Sequence, residues 1–251
     1  MALRADFLIH HAIDGFGDTY EDAINLLRYY EKLTPEQEAR RNVILAAIDN
    51  LVDFAVVEEY QMTMALPDEG DELEEGGEED GDEEDDERKL IAEMLSVFER
   101  YNRTYAGIED MDVEYAMAIA AGLCAVADTT YLTYMTQGDE RVRPWHMQYE
   151  GYTAPKHRFP AWLVPPIEHG CRCFLVDEED GVIHAQLPDV KNDRVIIPSM
   201  PDWFNRTFKE SVAFGGRIFS DEHPYFNIRE QHREQLEEIA NRIKQRYYAE
   251  K

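Results

Sequence analysis

The sequence has few cysteines and few basic residues, and it lacks any long apolar run. No uncharged apolar stretch approaches the roughly 20 residues that a helix needs to cross a bilayer. The first 14 residues have no basic start and carry charges inside a short apolar run, so a signal peptide is not expected. The cysteines are Cys124, Cys171 and Cys173, and their odd number is typical of a reducing compartment, with the cytoplasm as the default. Neither a membrane-spanning protein nor a disulfide-stabilised secreted protein is therefore expected.

Acidic residues outnumber basic ones, with 53 Asp and Glu against 25 Lys and Arg and a net charge of −28. The segment 68–87 alone supplies 15 of the acidic residues, together with four glycines and one leucine; outside it, 38 acidic residues face 25 basic ones, a net charge of −13. This balance gives no general attraction to nucleic acid or to an anionic membrane, so direct binding to either is not expected. We interpret residues 67–88 as a disordered linker, the alternative being a bait for a basic partner.

The region before this tract, residues 1–66, is predicted to be helical. Asp18 followed by Glu21 has the spacing of a capping box. A stronger helix start is Thr34, followed by proline and then by Gln37 three positions on. The helix that begins there is expected to run to about Met64, since its apolar residues recur at helical spacing: Ile44, Ala47, Ile48, Leu51 and Ala55.

Two further helices are predicted after the tract. The first has apolar positions from Leu90 to Tyr105 and is expected to end near Gly107. The second is expected to run from about Asp112 to Met135, and Cys124 on its alanine-rich face is predicted to be a packed thiol.

The pattern then changes to a β-like one. A proline-rich stretch without helical periodicity leads to two short runs, 171–176 and 182–187, which predict a β-hairpin, and 195–198 is a candidate third strand. Residues 227–251 predict a terminal amphipathic helix with Asn227 as its cap. The expected fold is α+β and predominantly helical: a helical region (1–66), the linker, a small α+β module with a hairpin (89–226) and the last helix.

The segment between Asp139 and Phe174 reads DERVRPWHMQYEGYTAPKHRFPAWLVPPIEHGCRCF. It resembles the phage Mu F-like minor head proteins, the phage head morphogenesis family. Members of that family show Asp-x-Arg-x-x-x-x-His, then a glycine, a loop with a tryptophan and a Pro-Pro pair, and a Cys-Arg-Cys strand. In this sequence the signature falls on Asp139, Arg141, His146, Gly151, Trp162, Pro165, Pro166, Cys171, Arg172 and Cys173. The predicted helix from about Asp112 sits where the family places the helix that leads into this motif, and the segment 214–226 is similar to the Ile-Phe…His-Pro-Tyr-Phe part of many relatives. The resemblance thus covers about 115 residues, from Asp112 to Phe226.

The resemblance implies a minor capsid protein of a tailed bacteriophage. Such a protein is a low-copy component of the virion that is made in the host cytoplasm. It associates with the portal protein and assists procapsid assembly, with the scaffold or major capsid protein as further partners. Neither an enzymatic activity nor a cofactor follows from this resemblance. The acidic tract is not a feature expected from the family.

Two interpretations of the Cys-Arg-Cys strand stay open. In the first, Arg172 projects away from the cysteines and forms a buried, two-bonded ion pair with Asp139 or Glu168. In the second, a structural zinc ion is bound by four candidate ligands, although C-x-C is not the usual spacing of a zinc site. Those ligands are His146, His169, Cys171 and Cys173.

Other functions depend on the same residues. A zinc-stabilised DNA-handling virion protein is the first alternative, which the negative charge disfavours. A nuclease or transferase effector is the second, with Cys171 and a histidine as a thiolate–imidazole pair. The sequence has no Gly-rich phosphate loop, no HExxH and no GxSxG motif. We therefore expect an assembly protein and not an enzyme.

Overall fold

The computed structural model describes residues 1–29, 31–66, 83–101, 105–178 and 198–248. Within these ranges the chain forms seven α-helices and three β-strands, which confirms the predicted helix-rich α+β fold. The helices are α1 (Ala2–Phe16), α2 (Tyr20–Arg28), α3 (Pro35–Met64), α4 (Glu83–Tyr101), α5 (Gly107–Cys124), α6 (Pro144–Met147) and α7 (Glu230–Tyr248), and the strands are β1 (Tyr131–Met135), β2 (Thr153–Pro155) and β3 (Phe174–Glu178). None of the helices in these ranges combines the length and the apolar content needed to cross a bilayer.

The start of α3 follows the predicted capping box. The Thr34 hydroxyl accepts a hydrogen bond from the Gln37 backbone N–H at 3.2 Å, and the Gln37 side chain accepts one from the Thr34 N–H at 2.9 Å. Both N–H groups would otherwise lack a partner at the helix end. The helix continues to Met64, as predicted.

The predicted cap of α2 is wrong by one residue. Thr19, not Asp18, precedes the helix, and its hydroxyl accepts from the Asp22 N–H at 3.1 Å. Threonine, like aspartate, is one of the residues preferred at this position of a helix. The Asp18 carboxylate is instead bound by Arg40 of α3 at 2.6 Å.

The long helix α3 is central to the hydrophobic core. Both α1 and α7 pack against it, and α5 packs against α1. Near its middle α3 is buried on every side, at Ile48, Asn50, Leu51, Val52, Phe54, Ala55 and Val56. One cluster of buried side chains includes residues of these four helices and of the sheet.

Asn50 is a polar residue inside this core, 1% exposed. Its side-chain oxygen accepts hydrogen bonds from the backbone N–H groups of Ile218 and Phe219 at 2.9 and 3.0 Å. Its side-chain nitrogen donates to the Phe219 carbonyl at 2.8 Å. One side chain thereby satisfies three backbone groups of an irregular segment and holds that segment against α3.

The three strands form one antiparallel sheet in the order β2–β1–β3. Tyr131 of β1 lies opposite Pro155 of β2 and Glu178 of β3. On the covered face, β1 buries Leu132 and Tyr134 completely.

The prediction of one helix from Asp112 to Met135 is therefore wrong. α5 begins at Gly107, which was expected to end the preceding helix, and it ends at Cys124, which is half-buried. Residues 131–135 form the central strand instead, because their tyrosines and threonine fit a sheet that pairs on both sides.

The predicted β-hairpin is only partly described. β3 begins at Phe174, three residues later than expected, and it pairs with β1, which precedes it by about 40 residues. The predicted partner run 182–187 and residues 195–197 of the candidate third strand lie outside the described residues, and Pro198 is in neither helix nor strand.

The two ends of the predicted segmentation also need correction. α4 begins at Glu83, so the last six residues of the predicted linker 67–88 are helical, and the others lie outside the described residues. α7 begins at Glu230, so Asn227 is not its cap; the Asn227 carbonyl accepts a hydrogen bond from Gln61 instead.

Candidate functional site

The signature loop between β1 and β3 turns back onto the sheet at a glycine. Gly151 has a φ of 81°, a value that residues with a side chain rarely adopt. Its N–H donates to the Tyr134 carbonyl at 2.8 Å, and the Tyr134 N–H donates to the Tyr152 carbonyl at 2.9 Å. These two bonds fix the loop beside β1 and set the position of the short helix α6 before it.

His146 lies in α6, where Pro144 occupies the first turn. Its side chain is buried, 2% exposed. The Nδ1 atom faces two sulfurs, Cys173 Sγ at 3.3 Å and Cys171 Sγ at 3.8 Å. The three candidate ligand atoms all lie within 4.8 Å of one another. We name His146, Cys171 and Cys173 the His–Cys–Cys cluster.

The Cys-Arg-Cys residues alternate in direction, as they do in extended chain. Cys171 and Cys173 are 4% and 3% exposed, whereas the Arg172 side chain is 37% exposed. Both thiols thus reach the same buried space, which a one-residue separation allows only when the backbone is extended.

The other nitrogen of His146 has an acidic partner. Nε2 lies 3.1 Å from Glu168 Oε2. The same oxygen accepts a hydrogen bond from the Trp145 indole at 2.9 Å and lies 3.4 Å from Arg143 Nε. The carboxylate is held on two further sides and therefore fixes the orientation of the imidazole ring. A neutral ring that donates from Nε2 presents an unprotonated Nδ1 to the sulfurs.

The two thiols differ in acidity. A hydrogen bond from the Cys171 side chain lowers the pKa of Cys173 to about 7. The same hydrogen bond, together with burial, raises the pKa of Cys171. The hydrogen bond between the two sulfurs thus makes Cys173 the more acidic thiol of the pair.

His169 does not belong to the cluster, so the predicted set of four ligands is wrong in this member. His169 Nδ1 lies 2.9 Å from Asp112 Oδ2, and the Gly170 N–H donates to Asp112 Oδ1 at 2.8 Å. Asp112 is 1% exposed, and burial raises its pKa. The sequence analysis missed Asp112 as a site residue, although an aspartate next to Val113 on the apolar face of α5 was the signal.

The predicted ion pair of Arg172 forms, but it is exposed and not buried as predicted. Arg172 Nη2 does lie 2.7 Å from Asp139 Oδ1, but the two side chains are 37% and 44% exposed and share one hydrogen bond. The hydrogen bond from Arg172 lowers the pKa of Asp139. Asp139 also accepts from the Arg141 backbone N–H at 3.0 Å, which closes the turn at the start of the signature. The Arg172–Asp139 pair is thus a surface contact.

Trp162, Pro165 and Pro166 of the signature are packed in the protein interior. Trp162 is 8% exposed and meets Tyr149 and Phe204 edge-on, with ring centroids 5.3 and 5.2 Å apart. Pro165 and Pro166 are buried, and the peptide bond between them is cis.

Two cavities border His146. An open, mainly apolar cleft of about 420 Å³ lies on the Nε2 side and is lined by Trp145, Glu168, Trp203 and Phe204. A cavity of about 20 Å³ borders His146 and Cys173, with arginines 141, 143 and 172 among its lining residues.

A second buried polar group lies away from the signature loop. Arg4 binds both oxygens of Glu58 at 2.8 and 3.0 Å and reaches Asp110 at 2.8 Å. His223 Nε2 lies 3.6 Å from Glu109 Oε1. Burial raises the pKa of Glu58 to about 7. The sequence analysis did not identify these residues, because each carboxylate lies on a helix that also has exposed charges.

No protein-family model, no curated protein and no solved structure matches this chain. The site is therefore interpreted from its own geometry and from the signature residues.

Proposed function

We propose that the chain is a minor head protein of a tailed bacteriophage that assists procapsid assembly by associating with the portal protein. The observation that carries the proposal is the convergence of the signature residues. Residues spread from Asp139 to Cys173 form one folded unit, in which His146, Trp162 and both cysteines are buried. The sequence resemblance names the family, and this convergence gives its signature a structural role.

The helix α4 offers a surface for a protein partner. Ile91, Met94, Leu95 and Phe98 lie one helical turn apart and are 37–57% exposed. A row of apolar side chains at this spacing is the pattern that an amphipathic helix presents to an apolar groove. We name these four residues the α4 face. The strongly acidic segment 68–87 precedes them in the sequence, so a partner with a basic rim around such a groove is favoured.

The portal is a closed ring with repeated identical sites, so several copies of this chain can bind around it. The scaffold and the major capsid protein are further candidates for the same surface.

The position of Glu168 favours a structural role for the cluster over a hydrolytic one. A general base at a metal-bound water has to be near the metal-binding atom. Glu168 meets Nε2, whereas the sulfurs face Nδ1 on the other side of the ring. The carboxylate is therefore placed to orient the histidine.

Co-expression with the cognate portal protein tests the proposal. We expect the two proteins to co-purify, and we expect the double variant Leu95→Lys/Phe98→Lys to reduce that association at least tenfold. The matched control is Leu3→Lys/Phe7→Lys, which changes two residues of α1 that are 85% and 49% exposed and adds the same charge. Its association should equal that of the wild type.

Equal binding by the α4 variant and the control would contradict the assignment of the α4 face. Salt-resistant binding to duplex DNA, with no binding to the portal, would overturn the proposed function. The nucleic-acid alternative would then replace it.

A further inference from the structure

We infer that His146, Cys171 and Cys173 bind one zinc ion through Nδ1 and the two thiolate sulfurs. This inference is independent of the proposed function, since it depends only on the geometry and chemistry of the His–Cys–Cys cluster. The alternative is a cluster of protein groups alone, in which a thiol donates a hydrogen bond to Nδ1.

The separations of the three atoms fit a tetrahedral zinc site. Zinc lies about 2.3 Å from a thiolate sulfur and about 2.0–2.1 Å from an imidazole nitrogen. Two tetrahedral ligands are then roughly 3.6 Å apart when one is nitrogen and roughly 3.8 Å apart when both are sulfur. Nδ1 of His146 is 3.3 Å from one sulfur and 3.8 Å from the other. The two nitrogen–sulfur separations therefore match those of a filled site to within a few tenths of an ångström. The two sulfurs lie within 4.8 Å of each other, so they need to approach by at most about 1 Å.

The ligand types and their burial favour zinc. Two thiolates balance the charge of a divalent ion, so the filled site is neutral and its burial is not costly. Thiolate and imidazole together select zinc over hard, oxygen-preferring ions such as Mg²⁺.

Glu168 supplies the outer partner that metal-binding histidines need. Such histidines almost always donate their second N–H to a carboxylate, a carbonyl or a water, which fixes the ring and its tautomer. Glu168 Oε2 lies 3.1 Å from Nε2, and Trp145 and Arg143 hold that carboxylate in place. The ring is thus oriented before binding, with Nδ1 directed at the sulfurs.

A water molecule takes the fourth coordination position of the zinc ion. The cavity of about 20 Å³ that borders His146 and Cys173 has room for one water. His169, the other candidate from the sequence, is bound to Asp112 and does not compete.

The test is the metal content of the full chain, purified and kept under reducing conditions. We expect about one zinc per chain by elemental analysis. After chelation, titration with Co²⁺ should restore one ion per chain. The spectrum should show the visible bands of tetrahedral cobalt and the near-ultraviolet charge transfer from sulfur.

Single substitutions distinguish the three proposed zinc ligands from the residues near them. Cys171→Ser, Cys173→Ser and His146→Ala should each weaken binding at least 100-fold. Cys124→Ser and His169→Gln are the matched controls, and both should keep one ion with unchanged affinity. Glu168→Gln should keep the ion but weaken binding about 10–100-fold, as expected for an outer partner of a ligating histidine.

Metal uptake by the wild-type protein tests the inference even where a variant fails to fold. Reduced wild-type chain that is folded by circular dichroism yet takes up neither Zn²⁺ nor Co²⁺ would overturn the inference. Cobalt binding without sulfur charge transfer would place the ion elsewhere and overturn it too. Loss of the ion in His169→Gln, with His146→Ala unaffected, would replace this ligand set by another.

Discussion

The helix α3 and the loop from Asp139 to Cys173 both contribute side chains to the hydrophobic core, but different interactions hold them. α3 packs apolar side chains around its middle, and its backbone bonds are made within the helix. The loop contains little regular structure, so its backbone depends on single contacts such as Gly151 N–H to Tyr134 and Arg143 to the His169 carbonyl at 2.7 Å. Burial in α3 is distributed over many residues, whereas the loop concentrates its stability in a few polar anchors.

The largest loss of stability should follow the truncation of a buried side chain of α3. Phe54 is fully buried and contacts the rings of Phe219 and His223, with centroids 4.4 and 5.0 Å away. Phe54→Ala should lower the free energy of unfolding by about 3–5 kcal/mol, because it removes a large side chain and leaves a cavity. Urea unfolding measures this. Leu3→Ala, at a site 85% exposed, is the control and should change stability by less than about 0.5 kcal/mol.

The buried carboxylate of α3 should make stability depend on pH. The pKa of Glu58 is raised to about 7 in the folded chain and returns to its ordinary value near 4.5 on unfolding. The folded state therefore binds more protons between these values, and its stability falls as the pH rises from about 4.5 to about 7. The fall due to Glu58 is at most about 3 kcal/mol. Glu58→Gln removes this titration, so its stability should depend less steeply on pH over that window. Parallel profiles for the two proteins would show that Glu58 is ionised throughout.

The loop from Asp139 to Cys173 should lose stability when one of its polar contacts is removed. Asp112→Ala leaves the Gly170 N–H and the His169 ring without their acceptor, which should cost about 1–3 kcal/mol. Asp112→Asn keeps an oxygen for Gly170 and should cost less. Thermal unfolding of both variants tests this order. A harmless alanine variant would mean that the loop does not depend on this anchor.

The smallest effect should be at Arg172, despite its place in the signature. The pair with Asp139 is exposed and has one hydrogen bond, so solvent replaces it readily. Arg172→Ala and Arg172→Lys should both melt within experimental error of the wild type. A large loss in either would show that Arg172 has a partner beyond Asp139.

The same contrast explains what the sequence could predict. The capping box at Thr34 and the apolar stripe of α3 are local patterns, so the helix could be located from residues close in sequence. The strand β1 could not, since its tyrosines become a strand only through pairing with β2 and β3. The helical interpretation placed Tyr131 and Met135 on the inward face, whereas the strand buries Leu132 and Tyr134.

Within the candidate site, proximity in sequence was a poor guide. His169 is two residues from Cys171, yet it turns to Asp112, which lies 57 positions earlier. His146 is 27 positions from Cys173 and meets it directly. The motif gave the residue types, and the tertiary packing of α5 against the loop selected which histidine faces the sulfurs.

Asn50 has a consequence for the rate at which backbone amides exchange with solvent deuterium. Ile218 and Phe219 lie in irregular backbone, where amide hydrogens usually exchange quickly. Their N–H groups, however, donate to the Asn50 oxygen inside the core. Exchange at these two amides therefore requires the segment to separate from α3, and they should be as protected as the central amides of that helix. At these two positions, slow exchange reports a contact with α3 although the chain forms neither helix nor strand there.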